Sequence, residues 1–153
     1  MPRRELPWWR LAALALVGAA LGALVLVIRG SGSAPDDVQP IDWNHQPCAH
    51  CRMLIGEPRH AAQLITRDGD VLSFDDPGCA LRHLAEHRPA VHRLWFHHAQ
   101  HDRWLSADEV AFTTGATTPM ASGLAAVDRG TPGSLDLDAA SRAQAGSGAG
   151  GLP

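Results

Sequence analysis

An uncharged run of eighteen residues, Leu11–Ile28, limits what this chain can fold into. At about 1.5 Å per residue, a helix of this length spans roughly 27 Å, close to the ~30 Å hydrocarbon core of a bilayer. The run is also longer than the apolar segment of a cleaved signal peptide. Arg3, Arg4 and Arg10 precede it, and such an excess of arginine keeps the N-terminus in the cytoplasm. The sequence predicts an uncleaved anchor within residues 1–29, single-pass in the inner membrane, with the rest facing the periplasm.

A cleaved signal peptide is the alternative for this segment, because Ser33-Ala34 supplies small residues of the kind found at a cleavage site. The remaining chain has room for one small domain, since the whole sequence has 153 residues. Its formal net charge of −3 gives no basic field that would point to nucleic acid.

The folded domain is expected at residues 40–129. Residues 30–39 are rich in Gly, Ser, Pro and Asp and predict a flexible linker. Residues 130–153 contain Thr, Pro, Gly, Ser, Ala and Asp with almost no large apolar side chain, which predicts a disordered tail.

Local signals within the domain predict an α+β fold. Two short apolar runs, residues 61–66 and 71–74, flank a turn centred on Asp68-Gly69 and predict a β-hairpin. Asp76 and Pro77 predict the N-cap and first position of a helix, which ends by Arg88 because Pro89 follows. Further strands are predicted within these ranges: 91–97, 103–105, 107–113 and 123–127. The pattern reads as ββαβ-like halves with antiparallel sheet.

Sulfur ligands are concentrated in the stretch Cys48-Ala49-His50-Cys51-Arg52-Met53. Thiolate and thioether together select soft ions, above all Cu(I), whereas oxygen ligands would select Mg²⁺ or Ca²⁺. Cys51 and Met53 are two residues apart, so in an extended chain they project to the same side and form a candidate copper-ligand pair. Cys48 is a further candidate, either as a ligand or as a disulfide partner of Cys51 when metal is absent. The stretch therefore predicts a Cu(I) site.

Two other readings of the CxxC pair stay open. A structural zinc site would need a second CxxC, and the chain has only one more cysteine, although a histidine could complete a mixed site. A thioredoxin-like motif lies between a buried strand and a helix, whereas Pro47 leads into this one from a polar segment. These readings correspond to a zinc-stabilised interaction module and an exported thiol oxidoreductase.

Three further residues are candidate ligands from outside the CxxC pair. Cys79 stands near the third position of the predicted helix, where the helix dipole favours a thiolate, and it is either a ligand or a packing residue. Met120 lies in a Thr-Pro-Met turn with little core to fill, as a ligand or as a plug over the sheet. His50 is a candidate nitrogen ligand by proximity, or a solvated loop histidine.

Four features together resemble the NosL family: CxxCxM at residues 48–53, the hairpin ending in Phe74-Asp75-Asp76-Pro77-Gly78-Cys79, Trp104 ahead of Val110-Ala111-Phe112, and Thr118-Pro119-Met120-Ala121-Ser122-Gly123. The resemblance covers residues 44–128. It implies a compact fold of paired ββαβ-like halves, related to part of the organomercurial lyase. It also implies an exported Cu(I)-binding accessory protein without catalytic turnover, which delivers copper to a periplasmic enzyme, nitrous oxide reductase.

The chain departs from the family pattern at three places. Family members usually have glycine where this chain has Arg52. Many members carry a lipid anchor instead of a helix. The stretch after Arg129 is expected to be too short and too polar for the closing helix of some relatives.

Overall fold

The structure, a computed structural model, describes residues 8–30 and 33–147. The chain forms two compact units, Met1–Ser33 and Ala34–Pro153. Arg3 and Arg4, on which the predicted membrane orientation rests, lie outside the described residues. So do residues 148–153 of the predicted tail.

The first unit carries one helix, α1 (Trp8–Gly30), which contains the whole predicted span Leu11–Ile28. The side chains described in α1, at residues 12–23, are all exposed. Among the residues that the structure describes, no helix combines the length and the hydropathy required to cross a membrane. The membrane anchor stays a prediction.

The first two strands of the second unit form the predicted hairpin, β1 (Ala62–Thr66) and β2 (Val71–Phe74). The strands are antiparallel, and Ala62 is paired with Phe74. Gly69 in the connecting turn has a φ of 90°, a conformation that residues with a Cβ atom rarely adopt. The Asp-Gly signal therefore marked the turn correctly.

This hairpin is part of a four-stranded antiparallel sheet of order β2-β1-β3-β4, in which β3 is Val91–His97 and β4 is Trp104–Ser106. β1 lies inside the sheet and is buried along its whole length. Its one strongly polar side chain, Gln63, donates to the Ser73 hydroxyl at 3.2 Å and accepts from the Gln39 backbone N–H at 2.7 Å. The predicted linker is thus held against the domain at Gln39, and also at Asp36, whose carboxylate pairs with Arg93 at 2.8 Å.

Helix α2 (Pro77–His87) connects β2 to β3 and completes the predicted ββαβ half. Asp76 is the N-cap, as predicted, and its Oδ1 atom accepts from the Gly78 N–H at 2.7 Å. The helix ends at Arg88, the C-cap, whose φ of 47° is left-handed. The helix therefore begins and ends where its local sequence predicts.

In the described residues, the rest of the domain contains a two-stranded sheet and a third helix in place of the second ββαβ-like half that was predicted. β5 (Val110–Thr113) pairs antiparallel with β6 (Ala125–Asp128). Phe96 of β3 meets Phe112 of β5 edge to face, with ring centroids 5.0 Å apart, and both rings are fully buried. The two sheets therefore share one core. Edge-to-face contacts of this kind stabilise a core beyond the burial of apolar area alone.

The disordered tail predicted for residues 130–153 is wrong for residues 130–147. Leu135 forms a β-bridge with Phe112, and α3 (Leu137–Ser147) follows, with contacts to α2. Ala140 is fully buried, and the Asp136 Oδ1 atom accepts from the Ala139 N–H at 2.7 Å at the start of the helix. The expectation that this stretch could not carry a closing helix is wrong for the same reason. Small side chains let α3 approach α2 closely, so few large apolar residues are required.

Candidate metal centre

The residues Cys48–Met53 form a closed loop. The Cys48 N–H donates to the Met53 carbonyl at 2.7 Å, and the Arg52 N–H donates to the Cys48 carbonyl at 3.1 Å. Pro47 and Leu54, on either side, form an isolated antiparallel bridge. The next helical element in the described chain is a short 3₁₀ helix, Pro58–His60, and not the α-helix that a thioredoxin-like motif requires.

Arg52 has a φ of 68°, in the left-handed region that glycine adopts without strain. That region costs a residue with a Cβ atom roughly 1–2 kcal/mol. We expect Arg52→Gly to raise the free energy of unfolding by about 0.5–1 kcal/mol, since the extra backbone entropy of glycine offsets part of the gain. Denaturant unfolding of both proteins measures this difference.

Arg129→Gly is the matched control for this prediction, because Arg129 is also exposed but is not among the residues with a positive φ. It should leave stability unchanged or lower it. An Arg52→Gly protein less stable than the parent would show that the Arg52 side chain makes a contribution larger than its backbone strain.

The three cysteines converge. The Sγ atoms of Cys48, Cys51 and Cys79 all lie within 4.8 Å of one another, and all three thiols are free. Cys48 and Cys79 are fully buried, whereas Cys51 is half-buried. The structure thus brings Cys79 to the CxxC pair, and the residue also packs in the core.

The thiols differ in how easily they ionise. A hydrogen bond with the Cys79 side chain lowers the pKa of Cys48 to about 4, against the effect of burial. The same interaction, together with burial, raises the pKa of Cys79 well above its usual range. Burial is also the main cause that raises the pKa of Cys51. The cluster thus presents one thiolate at Cys48, with Cys79 as its hydrogen-bond donor.

Two adjacent buried carboxylates position the loops around the thiols. The Asp75 Oδ1 atom accepts from the Gly56 N–H at 3.0 Å and so fixes the exit of the CxxCxM loop. Burial raises the pKa of Asp75. Besides capping α2, Asp76 accepts from the Met120 N–H through its Oδ2 atom at 3.1 Å. Asp76 therefore connects the start of the helix that carries Cys79 to the loop that carries Met120.

The predicted thioether and imidazole ligands occupy different surroundings. Met120 is half-buried and packs against the core cluster that contains Cys48 and Cys79. Met53 is 59% exposed at the surface of the loop. Among the described residues, the group of closely spaced ligand atoms contains the three cysteines but not His50. The Nδ1 atom of His50 instead lies 3.7 Å from the Glu86 carboxylate.

Arg82 and Gln144 also belong to the site, and the sequence reasoning missed both. Arg82 approaches the Cys79 Sγ atom with one guanidinium nitrogen at 3.6 Å and donates to the Gln144 Oε1 atom with the other at 2.8 Å. Gln144 in turn donates to the Ser122 carbonyl at 3.2 Å. The three-residue spacing of Cys79 and Arg82 on a predicted helix could have indicated the first contact. No local signal indicates Gln144.

Gly78 permits this close packing. A Cβ atom at position 78 would lie 2.4 Å from the Cβ atom of Ser122, a separation that real side chains do not reach. The glycine that precedes Cys79 therefore lets the Met120 loop close over the N-terminus of α2.

The cluster suits a soft metal ion. Three thiolates around one ion at metal–sulfur distances of ~2.3 Å would place the sulfurs roughly 4 Å apart, within the separation seen here. A structural zinc site requires a fourth ligand, whereas soft sulfur ligands select Cu(I). The positive charge of Arg82 partly offsets the negative charge that three thiolates bring to one ion.

Among solved structures, the chain is similar to the crystal structure of the copper chaperone NosL from Shewanella denitrificans. The TM-score is 0.50 at 22% sequence identity, over 74% of this chain and 88% of that chain. No family model and no curated protein matches the chain. The predicted NosL-like fold is thus confirmed, and the protein that shares it is described as a chaperone and not as an enzyme.

Proposed function

We propose that this chain binds Cu(I) through Cys48, Cys51 and Cys79 and delivers it to a periplasmic copper enzyme, with nitrous oxide reductase as the client. The observation that carries the proposal is the convergence of three sulfur atoms within 4.8 Å, although Cys79 is remote in sequence from the CxxC pair. The fold shared with a copper chaperone supports it.

Met120 is the ligand we assign in addition to the thiols. Its backbone is tied to Asp76, three residues before Cys79, and its side chain lies against the same buried cluster as the cysteines. A thioether adds to the affinity for Cu(I) but little to the affinity for zinc. This ligand set therefore favours copper.

The graded exposure of the ligands supports transfer of the ion to a partner. Cys51 and Met120 are half-buried, and Cys48 and Cys79 are buried. A partner can thus reach Cys51 and Met120 first and replace the ligands one at a time. Release proceeds by ligand exchange and requires no second substrate.

Competition titrations test the proposal. We expect the full chain, reduced and anaerobic, to bind about one Cu(I) and to prefer it strongly to Zn(II) in the presence of a chromogenic chelator. Met120→Ala should lower the Cu(I) affinity at least roughly tenfold, about 1.4 kcal/mol, the size expected for loss of one ligand.

Leu54→Ala is the matched control, because Leu54 is an exposed apolar residue beside the same loop but has no donor atom. It should leave both affinities unchanged. Tighter binding of Zn(II) than of Cu(I), with Met120→Ala and Met53→Ala both silent, would contradict the copper assignment.

A thiol oxidoreductase is the second candidate function, favoured by one observation. The pKa of Cys48 is lowered to about 4, and a thiolate at neutral pH is the attacking species in disulfide exchange. The buried position of Cys48 opposes this reading, since a disulfide substrate must reach the attacking sulfur.

We further propose that the domain is exported and held at the inner membrane by α1, with its thiols on the periplasmic side. The arginines before the apolar run and its length support this location. Mass spectrometry of the membrane fraction should find an intact N-terminus. A mature chain that starts near Ala34 would instead identify a cleaved signal peptide.

A further inference from the structure

A positive charge lies beside the three thiols, on the helix that carries Cys79. Arg82 is half-buried and follows Cys79 by three residues, so the two side chains lie on neighbouring positions of the helix surface. One guanidinium nitrogen lies 3.6 Å from the Cys79 Sγ atom. A guanidinium has donors and no acceptor, so it donates to this sulfur. Arg82 thus adds a permanent positive charge next to one of the proposed copper ligands.

Helix α3 holds this charge in place. A second guanidinium nitrogen of Arg82 donates to the Gln144 Oε1 atom at 2.8 Å. The buried Gln144 side chain donates in turn to the Ser122 carbonyl at 3.2 Å, in the loop that also carries Met120. The guanidinium is therefore fixed by contacts with both helices, at the place where the Met120 loop closes over α2.

The residue that holds Arg82 carries no charge. Gln144 is an amide, and no carboxylate of the described chain forms an ion pair with Arg82. Arg93, in contrast, pairs with the Asp36 carboxylate at 2.8 Å. A carboxylate partner neutralises most of a guanidinium charge, whereas an amide leaves that charge to act on the nearby sulfurs.

The charge of the bound cluster depends on the metal ion. Three thiolates bring three negative charges, of which Cu(I) cancels one and Zn(II) cancels two. A fixed positive charge therefore attracts the Cu(I) cluster about twice as strongly as the Zn(II) cluster. Both ions start from the same metal-free protein, so the protonation of its thiols cancels when the two affinities are compared.

We propose that Arg82 is a specificity-determining residue, whose charge raises the affinity of the three-thiol site for Cu(I) relative to Zn(II). Gln144 is the positioning residue that holds the guanidinium without neutralising it. The assignment rests on the proposed copper function, because it requires Cys48, Cys51 and Cys79 to bind the same ion. Selectivity then has two sources, the thioether of Met120 and the charge of Arg82.

The experiment measures the Cu(I) and Zn(II) affinities of the full chain, reduced and anaerobic, with a competing chromogenic chelator for each ion. Arg82→Gln removes the charge and keeps a polar side chain. We expect the ratio of Cu(I) to Zn(II) affinity to fall roughly tenfold, mainly through weaker Cu(I) binding. This is less than the unscreened attraction of one charge pair, because Arg82 is only half-buried.

Two further variants separate charge from structure. Arg82→Lys keeps the positive charge and should retain most of the affinity ratio of the parent. Arg67→Gln is the matched control, because it removes the same charge from an exposed arginine beside the hairpin turn, and it should leave the ratio unchanged. Melting temperatures of all three variants report any loss of folding.

An unchanged ratio in Arg82→Gln would overturn the proposal, and so would equal losses of affinity for both ions, since damage to the fold weakens both alike. Equal ratios in Arg82→Lys and Arg82→Gln would show that charge is not the cause. Failure of the copper function has a different signature, in which the parent itself binds Zn(II) more tightly than Cu(I). The role of Arg82 is measured by the change in ratio between parent and variant.

Discussion

Asp76→Asn is expected to lower the free energy of unfolding by about 2–4 kcal/mol and to weaken Cu(I) binding at least roughly tenfold. The side chain is fully buried, and its two oxygens accept from the N–H groups of Gly78 and Met120 at 2.7 and 3.1 Å. An asparagine amide has one acceptor oxygen, so its NH₂ group would face a second donor. Asparagine is as good an N-cap as aspartate, so the cost comes from the Met120 N–H and the amide NH₂ group, two donors left without an acceptor at about 1–2 kcal/mol each.

Denaturant unfolding and Cu(I) titration of the same preparation measure both effects. Asp70→Asn is the control, because Asp70 is an exposed carboxylate at the end of the hairpin turn, and it should change neither quantity. Equal stability of Asp76→Asn and the parent would mean that the Met120 loop is held by other contacts.

The double role of Asp76 shows what local sequence signals can and cannot predict. An aspartate followed by proline predicts a helix N-cap, and the structure has that cap. The second hydrogen bond, to Met120, joins residues 44 positions apart, and no spacing rule predicts it. The Asp-Asp-Pro-Gly-Cys and Thr-Pro-Met segments are far apart in sequence, but this hydrogen bond holds them side by side in the fold.

The elements that the sequence predicted are those with local causes. Two short apolar runs about an Asp-Gly turn predicted β1 and β2, and the cap with its following proline predicted α2. Helix α3 was missed because its stability is tertiary. Ala140 is buried against the domain and Gln144 bonds to Arg82 and Ser122, whereas the segment itself is small and polar.

The metal centre was predicted in part for the same reason. The concentration of sulfur ligands in the CxxCxM stretch was enough to predict a metal site there. Cys79, in contrast, could be read either as a ligand or as a packing residue. Only the packing of α2 on the sheet brings its sulfur within 4.8 Å of the other two. His50 was named for its proximity in sequence, yet it faces Glu86 in the structure.

Cys79→Ser is expected to lower the Cu(I) affinity by about a hundredfold, or ~2.7 kcal/mol. A hydroxyl is a hard ligand that does not replace thiolate at a soft ion. The chelator competition used for the parent measures the change. Cys79→Ala, which also lacks the sulfur, should lose a similar amount, and melting temperatures of both variants report any loss of folding.

The same substitution separates a copper carrier from a thiol oxidoreductase, because the two functions use Cys79 differently. Disulfide exchange at a CxxC motif needs an attacking thiolate and a resolving thiol, which Cys48 and Cys51 supply between them. A three-sulfur copper site needs all three. Cys79→Ser should therefore weaken Cu(I) binding by about a hundredfold, whereas any dithiol–disulfide activity persists because the serine hydroxyl can still donate a hydrogen bond to Cys48. Unchanged Cu(I) affinity in a folded Cys79→Ser protein, with insulin reduction that requires both Cys48 and Cys51, would assign the chain to the oxidoreductases.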